Sequence, residues 1–281
     1  MSAWLPVAPC TPRDCARHEG ATRSPLPAAA LLLAGCALTF LGVLCVPAVL
    51  LLGTSYRDRL IRRWASTVVR AFGVRVRVTG GQADGKARPP AGELVVANHV
   101  SWLDIPLVAS VLPARMVAKS EIRDWPLLGP LAAFGGTLFI ERDRLRALPH
   151  AVRVIAGALA AGSRVAVFPQ GSTWCGRSGG GRFRHAAFQA AIDAGSAVRP
   201  VRISYRTAGT TNAAGAAAFV GDDPLAASLW RVVTAAGLTA EIRILPPVPA
   251  GAEPGRRALA RAAQSAVDND NANLPAVSVH H

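Results

Sequence analysis

The strongest constraint on the fold of this chain is an uncharged run near its start. From Ser24 to Tyr56, 33 consecutive residues carry no formal charge, and Leu26 to Gly53 consists mainly of Ala, Leu and Val. A helix needs roughly 20 apolar residues to cross a bilayer core, whereas the apolar core of a signal peptide has only about 7–15. The run therefore predicts a membrane-embedded segment over residues 24–56, the alternative being a helix buried in a soluble core.

Two arrangements of this segment remain open. Pro47 interrupts the run, which fits either one kinked span or a re-entrant helical hairpin. The flanking arginines are denser on the C-terminal side, where they are diluted only by Asp58. Because positive flanks stay inside, we expect the C-terminal bulk on the cytoplasmic face of the cell membrane. The C-terminal cations are Arg57, Arg59, Arg62 and Arg63, against Arg13, Arg17 and Arg23 before the run.

The charge balance of the 281-residue chain points to an anionic partner. Lys and Arg number 31 against 17 Asp and Glu, a formal net charge of +14, while 51% of residues are hydrophobic, which excludes a mostly disordered protein. Nucleic acid is disfavoured because no binding motif or aromatic-studded basic patch is present. A membrane surface or an anionic substrate is the expected partner.

The five cysteines do not form a recognisable framework. Their odd number and irregular spacing argue against a disulfide scaffold and favour a reducing compartment for the catalytic part. Cys10 and Cys15 are not followed by a second Cys/His pair, so no zinc site is predicted, and the absence of a dinucleotide fingerprint predicts no redox cofactor.

The remaining chain predicts an α/β layered fold with a mostly parallel sheet flanked by helices, because short apolar runs alternate with helical patterns. We divide it into a disordered segment 1–23, the membrane segment 24–56, a basic interfacial helix and lead-in 57–78, a catalytic domain 79–253 and a loose tail 254–281. The predicted strands are Glu93–Ala97, Arg115–Ala118, Thr137–Ile140, Arg164–Phe168, Val198–Ser204 and Ala240–Leu245.

The first chemical motif directly follows the strand Glu93–Ala97. His99 and Asp104 are five residues apart, and on a regular helix such positions lie about 140° apart. We therefore expect His99 in the loop before a helix and Asp104 folded back from its first turn. The carboxylate would accept from one ring nitrogen and leave the other free as a base. The alternative is a capping cluster beside an unrelated Asp.

Three further blocks follow in order: Phe139-Ile140-Glu141-Arg142, Phe168-Pro169-Gln170-Gly171-Ser172, and Val198-Arg199-Pro200-Val201. With the His99 motif they resemble the glycerolipid acyltransferase family, whose pattern is N-H-x4-D, F-I-[D/E]-R, F-P-E-G-[T/S] and a block with a central proline. The resemblance spans about Leu94 to Ser204 together with the membrane segment.

The resemblance implies a membrane O-acyltransferase of phospholipid biosynthesis. Its acyl donor would be acyl-CoA or acyl carrier protein, and its acceptor a lysolipid, with 1-acylglycerol-3-phosphate giving phosphatidate as the expected pair. It assigns His99 as general base and Asp104 as its orienting partner, with no metal or cofactor. The implied substrate-binding residues are Phe139 and Arg142 for the glycerol phosphate, Gln170, Gly171 and Ser172 for the acceptor, and Pro200 for the pocket wall.

One departure from the family pattern keeps other functions open. Gln170 stands where the family has Glu, which retains the carbonyl but loses the charge. A different acceptor such as lyso-ornithine lipid, or a weakly active or non-catalytic membrane-binding protein, is therefore an alternative. A third class is an esterase acting through Ser178, although its G-x-S-x-G match lies in a Gly-rich stretch without the preceding strand.

Overall fold

The structure, a computed structural model, describes residues 8–81, 92–126, 128–141, 144–176, 180–208 and 213–269. The helices in this part are α1 Pro12–Cys15, α2 Pro25–Leu50, α3 Thr54–Ala71, α4 Asp104–Val111, α5 Leu128–Phe134, α6 Leu148–Ala160, α7 Ala186–Asp193, α8 Leu225–Thr234 and α9 Arg256–Asn269. The strands are β1 Arg75–Gly80, β2 Glu93–Ala97, β3 Arg115–Lys119, β4 Leu138–Ile140, β5 Arg164–Val167, β6 Ala197–Arg206 and β7 Thr239–Ile244.

The strands form a seven-stranded sheet in the order β1-β7-β6-β2-β5-β3-β4. Every neighbouring pair is parallel except β6 and β7, which run antiparallel. The predicted mostly parallel α/β sheet is therefore confirmed. Central strand β2 lies between β6 and β5, so the loop that follows it opens where the carboxyl ends of parallel strands meet.

Helices cover both faces of the sheet because side chains alternate along β2. Val95 and Ala97 pack into the core beneath α3, α4 and α8, whereas Leu94 and Val96 pack into a second core beneath α6, α7 and α9. A strand that is buried on both faces reads as a continuous apolar run, which is why β2 is plain in the sequence.

Helices α2 and α3 form an antiparallel hairpin. By length and composition α2 is able to cross a membrane. The indole N–H of Trp64 on α3 donates to the carbonyl of Leu38 on α2 at 3.0 Å. Gly42 and Gly35 lie against the rings of Trp64 and Phe72, and a Cβ at either glycine would collide with those rings. The two helices therefore pack closely along the second half of α3.

Residues 8–23, predicted to be disordered, are folded against the α/β domain. The N–H of Arg23 donates to the Thr234 carbonyl at 2.8 Å, and its guanidinium donates to the carbonyls of Val233, Ala235 and Gly73. These bonds join the segment to the end of α8 and to Gly73, which follows α3. The segment before α2 and the chain after α3 are therefore both attached to the α/β domain.

Two further boundaries differ from the prediction. Residues 254–269, predicted as part of a loose tail, include α9, which buries Leu259, Ala263 and Val267 in the second core. Strand β1, which the sequence placed in the basic lead-in, extends the sheet by pairing with β7. Its residues are mostly exposed because β1 is an edge strand. The folded domain therefore includes residues on both sides of 79–253.

Candidate active site

The loop between β2 and α4 brings His99 and Asp104 together. β2 ends at Ala97 and α4 begins at Asp104, so the carboxylate stands on the first residue of the helix and reaches back to the loop. Nδ1 of His99 lies 2.8 Å from Oδ2 of Asp104. This is the arrangement that the five-residue spacing predicts.

Asp104 accepts hydrogen bonds on both carboxylate oxygens. Oδ2 also accepts from the N–H groups of Val100 at 2.7 Å and Ser101 at 2.8 Å, and Oδ1 accepts from the hydroxyl of Tyr205 at 2.6 Å. Asp104 is fully buried, and each of these partners donates to its carboxylate. Burial, followed by the charge of Asp104, raises the pKa of Tyr205 well above its usual range, so its hydroxyl keeps the proton that it donates.

This arrangement sets the tautomer of His99. An ionised carboxylate only accepts hydrogen bonds, so Nδ1 must carry the proton in the contact with Asp104. The neutral ring then has its lone pair on Nε2. The pair of side chains can thus present a base whose ring is oriented by the contact at Nδ1 and whose Nε2 can accept a proton.

The ring and backbone of His99 are held by the neighbouring strands. Its ring stacks on Phe168, which follows β5, with centroids 4.1 Å apart and planes 14° apart. Its carbonyl accepts from the N–H of Trp174 at 2.7 Å. Next to it, the side-chain amide of Asn98 donates to and accepts from the backbone of Ile203 on β6, at 2.8 Å in both directions. These contacts fix the orientation of the imidazole.

Gln170 lies behind His99. Its Oε1 accepts from the backbone N–H of His99 at 2.7 Å, and its side chain is only 4% exposed. Its Nε2 lies against the Cα of Gly180, where an added Cβ would clash with it. In this structure the amide therefore supports the histidine loop from within rather than lining an open surface.

Gly171 and Ser172 continue the turn that begins at Phe168. The N–H of Gly171 donates to the Phe168 carbonyl at 3.1 Å, and Gly171 has a φ of 78°, which only glycine adopts without strain. Within the described part of the chain, the buried hydroxyl oxygen of Ser172 has no hydrogen-bond partner. The turn therefore places a hydroxyl next to Gln170 and Gly171 that makes no hydrogen bond to the described residues.

The other substrate residues predicted from the sequence lie further from His99. Phe139 is on β4, three strands from β2, which at about 4.8 Å per strand is roughly 14 Å across the sheet. The guanidinium of Arg123 lies over its ring, 5.0 Å from the centroid. Arg142 falls outside the described residues. Pro200 pairs with Val96 inside the sheet and is buried there.

Two residues of this region were not predicted from the sequence. Tyr205 reaches Asp104 from a strand 101 residues away, and no local spacing links them. Arg123 lies in the 3-10 helix Ser120–Asp124, outside all four motifs. Its guanidinium lies over the ring of Phe139, and this contact places a cation beside the second motif. The one available signal was a tyrosine directly after the predicted strand Val198–Ser204, because a buried hydroxyl needs a partner.

Comparison with known proteins finds similarity over the part of the chain that contains His99, Asp104 and Gln170. A family model described as Acyltransferase matches residues 77–204. Lyso-ornithine lipid O-acyltransferase of Pseudomonas aeruginosa is 40% identical over 216 residues, which cover 76% of this chain and 79% of that protein. 1-acyl-sn-glycerol-3-phosphate acyltransferase of Neisseria meningitidis is 36% identical over 189 residues, which cover 66% and 70%.

A solved structure shares the fold. The 1-acyl-sn-glycerophosphate acyltransferase of Thermotoga maritima superposes with a TM-score of 0.67, covering 89% of this chain and 95% of that one at 20% identity. The matched region contains β2, the His99–Asp104 loop and the Gln170 turn. From the family match, the extent of the identity and the shared fold, this chain belongs to the glycerolipid acyltransferase family and is a lysolipid acyltransferase.

Proposed function

We propose that the chain transfers a fatty acyl group from acyl-CoA or acyl carrier protein to the free hydroxyl of a lysolipid. His99 acts as the general base, and Asp104 orients it. The observation that carries this proposal is the 2.8 Å contact between Nδ1 and the buried carboxylate, which leaves Nε2 free at the carboxyl edge of the sheet.

The reaction needs one proton carrier and no covalent intermediate. Nε2 takes the proton of the acceptor hydroxyl while its oxygen attacks the thioester carbonyl, and the imidazolium that forms is stabilised by Asp104. The tetrahedral intermediate then collapses, the C–S bond breaks, and the imidazolium returns the proton to the leaving thiolate. Ester and free thiol are the products.

A serine nucleophile is not needed for this chemistry. Within the described residues the hydroxyl of Ser172 has no hydrogen-bond partner, so His99 does not activate it there. Ser178, the residue of the esterase alternative, lies outside the described residues. Direct attack by the acceptor hydroxyl is therefore the simpler route.

We infer that the acceptor is 1-acylglycerol-3-phosphate and that the product is phosphatidate. The relative from Neisseria meningitidis and the arginine of the second motif support this choice, because an arginine fork pairs well with a phosphate. Lyso-ornithine lipid is the second candidate, and the 40% identical relative from Pseudomonas aeruginosa favours it. The ornithine carboxylate also suits an arginine fork, so an anionic group within the head group, phosphate or carboxylate, is the shared requirement.

The acceptor is tested by supplying purified protein in lipid nanodiscs with a panel of lysolipids and either oleoyl-CoA or oleoyl-carrier protein. Mass spectrometry identifies the products. We expect phosphatidate from 1-acylglycerol-3-phosphate and at least about 10²-fold slower product formation by the His99→Ala variant. Product from lyso-ornithine lipid alone would replace the acceptor and keep the mechanism. Equal product from wild type and variant, with every acceptor, would overturn the general-base proposal.

Gln170 is expected to be compatible with activity. Its Oε1 serves one backbone N–H, and a carboxylate oxygen in Gln170→Glu is able to accept the same bond. We expect Gln170→Glu to keep kcat within about tenfold of wild type, whereas Gln170→Ala leaves that N–H unpaired at a cost of about 1–3 kcal/mol and lowers kcat further. Initial rates of thiol release measure both.

Gln189→Ala is the matched control, because among the described residues its hydrogen bond is to Asp193 on the exposed side of α7. A large gain of activity in Gln170→Glu would contradict this account. It would mean that the family carboxylate contributes a charge that the amide lacks.

We propose that the α2–α3 hairpin is re-entrant on the cytoplasmic face, with the apolar α2 dipping into the membrane and the arginine-rich α3 lying at its surface. Residues 8–23 before α2 and Gly73 after α3 are hydrogen-bonded to one body, so a single span would separate groups that are in contact. Phe72 packs edge-to-face on Trp102, 5.2 Å between centroids, which links the hairpin directly to the loop of His99. Lysolipids in the bilayer would then lie next to the base.

This topology is tested with a membrane-impermeant maleimide. Arg17→Cys and Arg153→Cys place exposed thiols before the hairpin and on α6, in a Cys36→Ser, Cys45→Ser background. We expect both thiols to react in inside-out vesicles and neither in intact spheroplasts. Labelling of the two positions from opposite sides would support a single span instead. The background protein without added cysteines sets the baseline.

A further inference from the structure

Three cysteine thiols from distant parts of the chain form a compact cluster. Cys10 and Cys15 lie at the two ends of the α1 segment, and Cys175 follows the Gln170 turn. The three Sγ atoms all lie within 4.8 Å of one another, and no disulfide joins them. Cys10 and Cys175 are buried and Cys15 is half-buried, so the cluster is largely closed to solvent.

The distances suit a metal ion with sulfur ligands. With a metal–sulfur bond of about 2.3 Å, three sulfurs lie about 3.8 Å apart in a tetrahedral site and about 4.0 Å apart in a trigonal one. Both values fall within the observed limit of 4.8 Å. Small side-chain movements would therefore complete the coordination, and the backbone can stay where it is.

The surroundings select a soft cation. The cluster is packed against Ala218, Val220 and Trp174, and among the described residues the group of potential metal ligands here consists of the three cysteines alone. A thiophilic ion that displaces the thiol protons would convert the three sulfurs into ligands.

We propose that Cys10, Cys15 and Cys175 bind one thiophilic d10 cation, Zn²⁺ or Cu⁺. Each thiol releases its proton to solvent as its sulfur–metal bond forms. Within the described residues the group contains no fourth His, Cys or carboxylate. Zn²⁺ would therefore take a water as its fourth ligand, whereas Cu⁺ would be held by the three sulfurs alone.

The ion would fasten the N-terminal segment to the active-site loop. Cys175 follows Trp174, whose N–H donates to the carbonyl of His99 at 2.7 Å, and Cys10 and Cys15 precede the membrane hairpin. Because Cys175 lies 160 residues after Cys15, the ion closes a long loop and restricts the unfolded chain. Its role is structural and does not depend on which lipid the enzyme acylates.

Metal binding is measured on the full chain, purified in detergent under reducing, metal-free conditions with a tag that lacks histidine. Zn²⁺ and Cu⁺ are titrated separately against chromogenic chelators, and Co²⁺ reports thiolate ligation through its sulfur-to-metal absorption. We expect about one ion per chain. Cys175→Ser and Cys10→Ser are expected to lose the ion. Cys36→Ser and Cys45→Ser, exposed on α2, are matched controls that keep it.

Hydrogen exchange of the wild-type protein supplies a readout that does not depend on the folding of a variant. Adding the preferred ion is expected to slow exchange at residues 10–16 and 174–176 and to leave α2 unchanged. Any of three results would overturn the proposal: no ion bound by the wild type, equal binding by Cys175→Ser, or a disulfide within the cluster in the reduced preparation.

Discussion

Replacing His99 by alanine is expected to lower kcat by about 10²–10⁴-fold, the usual contribution of a general base. The variant loses Nε2, the atom that takes the hydroxyl proton, while Asp104 keeps its bonds to Val100, Ser101 and Tyr205. The loop should therefore stay folded and the substrates should still bind. Release of free thiol from oleoyl-CoA, with the preferred lysolipid saturating, measures the effect as a change in kcat with little change in KM.

His150→Ala is the matched control for this substitution, because His150 is an exposed histidine on α6. It is expected to retain wild-type rates. Heat unfolding of all three proteins separates a catalytic loss from a folding defect. A His99→Ala protein that folds normally and turns over within threefold of the wild type would refute the role of His99.

Asp104→Asn is expected to lower kcat by at least about 10²-fold while leaving the fold intact. The asparagine oxygen can occupy the position of Oδ2 and accept from the same three donors, and its amide can donate to Tyr205, whose hydroxyl also accepts. The loop geometry is then preserved, but the negative charge that stabilises the imidazolium is gone. The loss therefore reports the charge rather than the shape of the site.

Asp104→Ala separates the structural part of this role. It leaves two buried backbone N–H groups, Nδ1 of His99 and the Tyr205 hydroxyl without an acceptor, each at about 1–3 kcal/mol. We expect a loss of several kcal/mol in the free energy of unfolding as well as loss of activity. Tyr205→Phe removes one donor only and should cost far less. Asp104→Asn with wild-type kcat would contradict the orienting role of the carboxylate.

The local parts of the site could be predicted from the sequence because short-range geometry determines them. The run Glu93–Ala97 is apolar along its length except for Glu93, so it reads as a buried strand, and the His99–Asp104 spacing leaves few ways for the two side chains to meet. The contact needs no residue from elsewhere in the chain. It follows from a strand end, a short loop and the first turn of a helix.

Three segments were predicted wrongly because their overall composition suggested no regular structure. The end of the chain is rich in Ala and Arg and reads as a tail, yet Leu259, Ala263 and Val267 recur at the spacing of one helix face. Strand β1 alternates Arg75 and Arg77 with valines, which suits an edge strand as well as a basic lead-in. Residues 8–23 show no apolar periodicity in the sequence. Backbone hydrogen bonds to α8 and to the chain that follows it hold them in place, and the sequence of the segment does not reveal such bonds.

The sequence by itself determined the apolar segment, the α/β alternation and the His99–Asp104 pair, because each depends on residues that are close along the chain. Only the tertiary structure brought Tyr205 to Asp104, Gln170 to the backbone of His99, and Cys175 to Cys10 and Cys15. It also placed both ends of the hairpin on one body. These contacts join residues far apart in sequence, and no local period or spacing encodes which strand ends and loops the folded sheet will bring together.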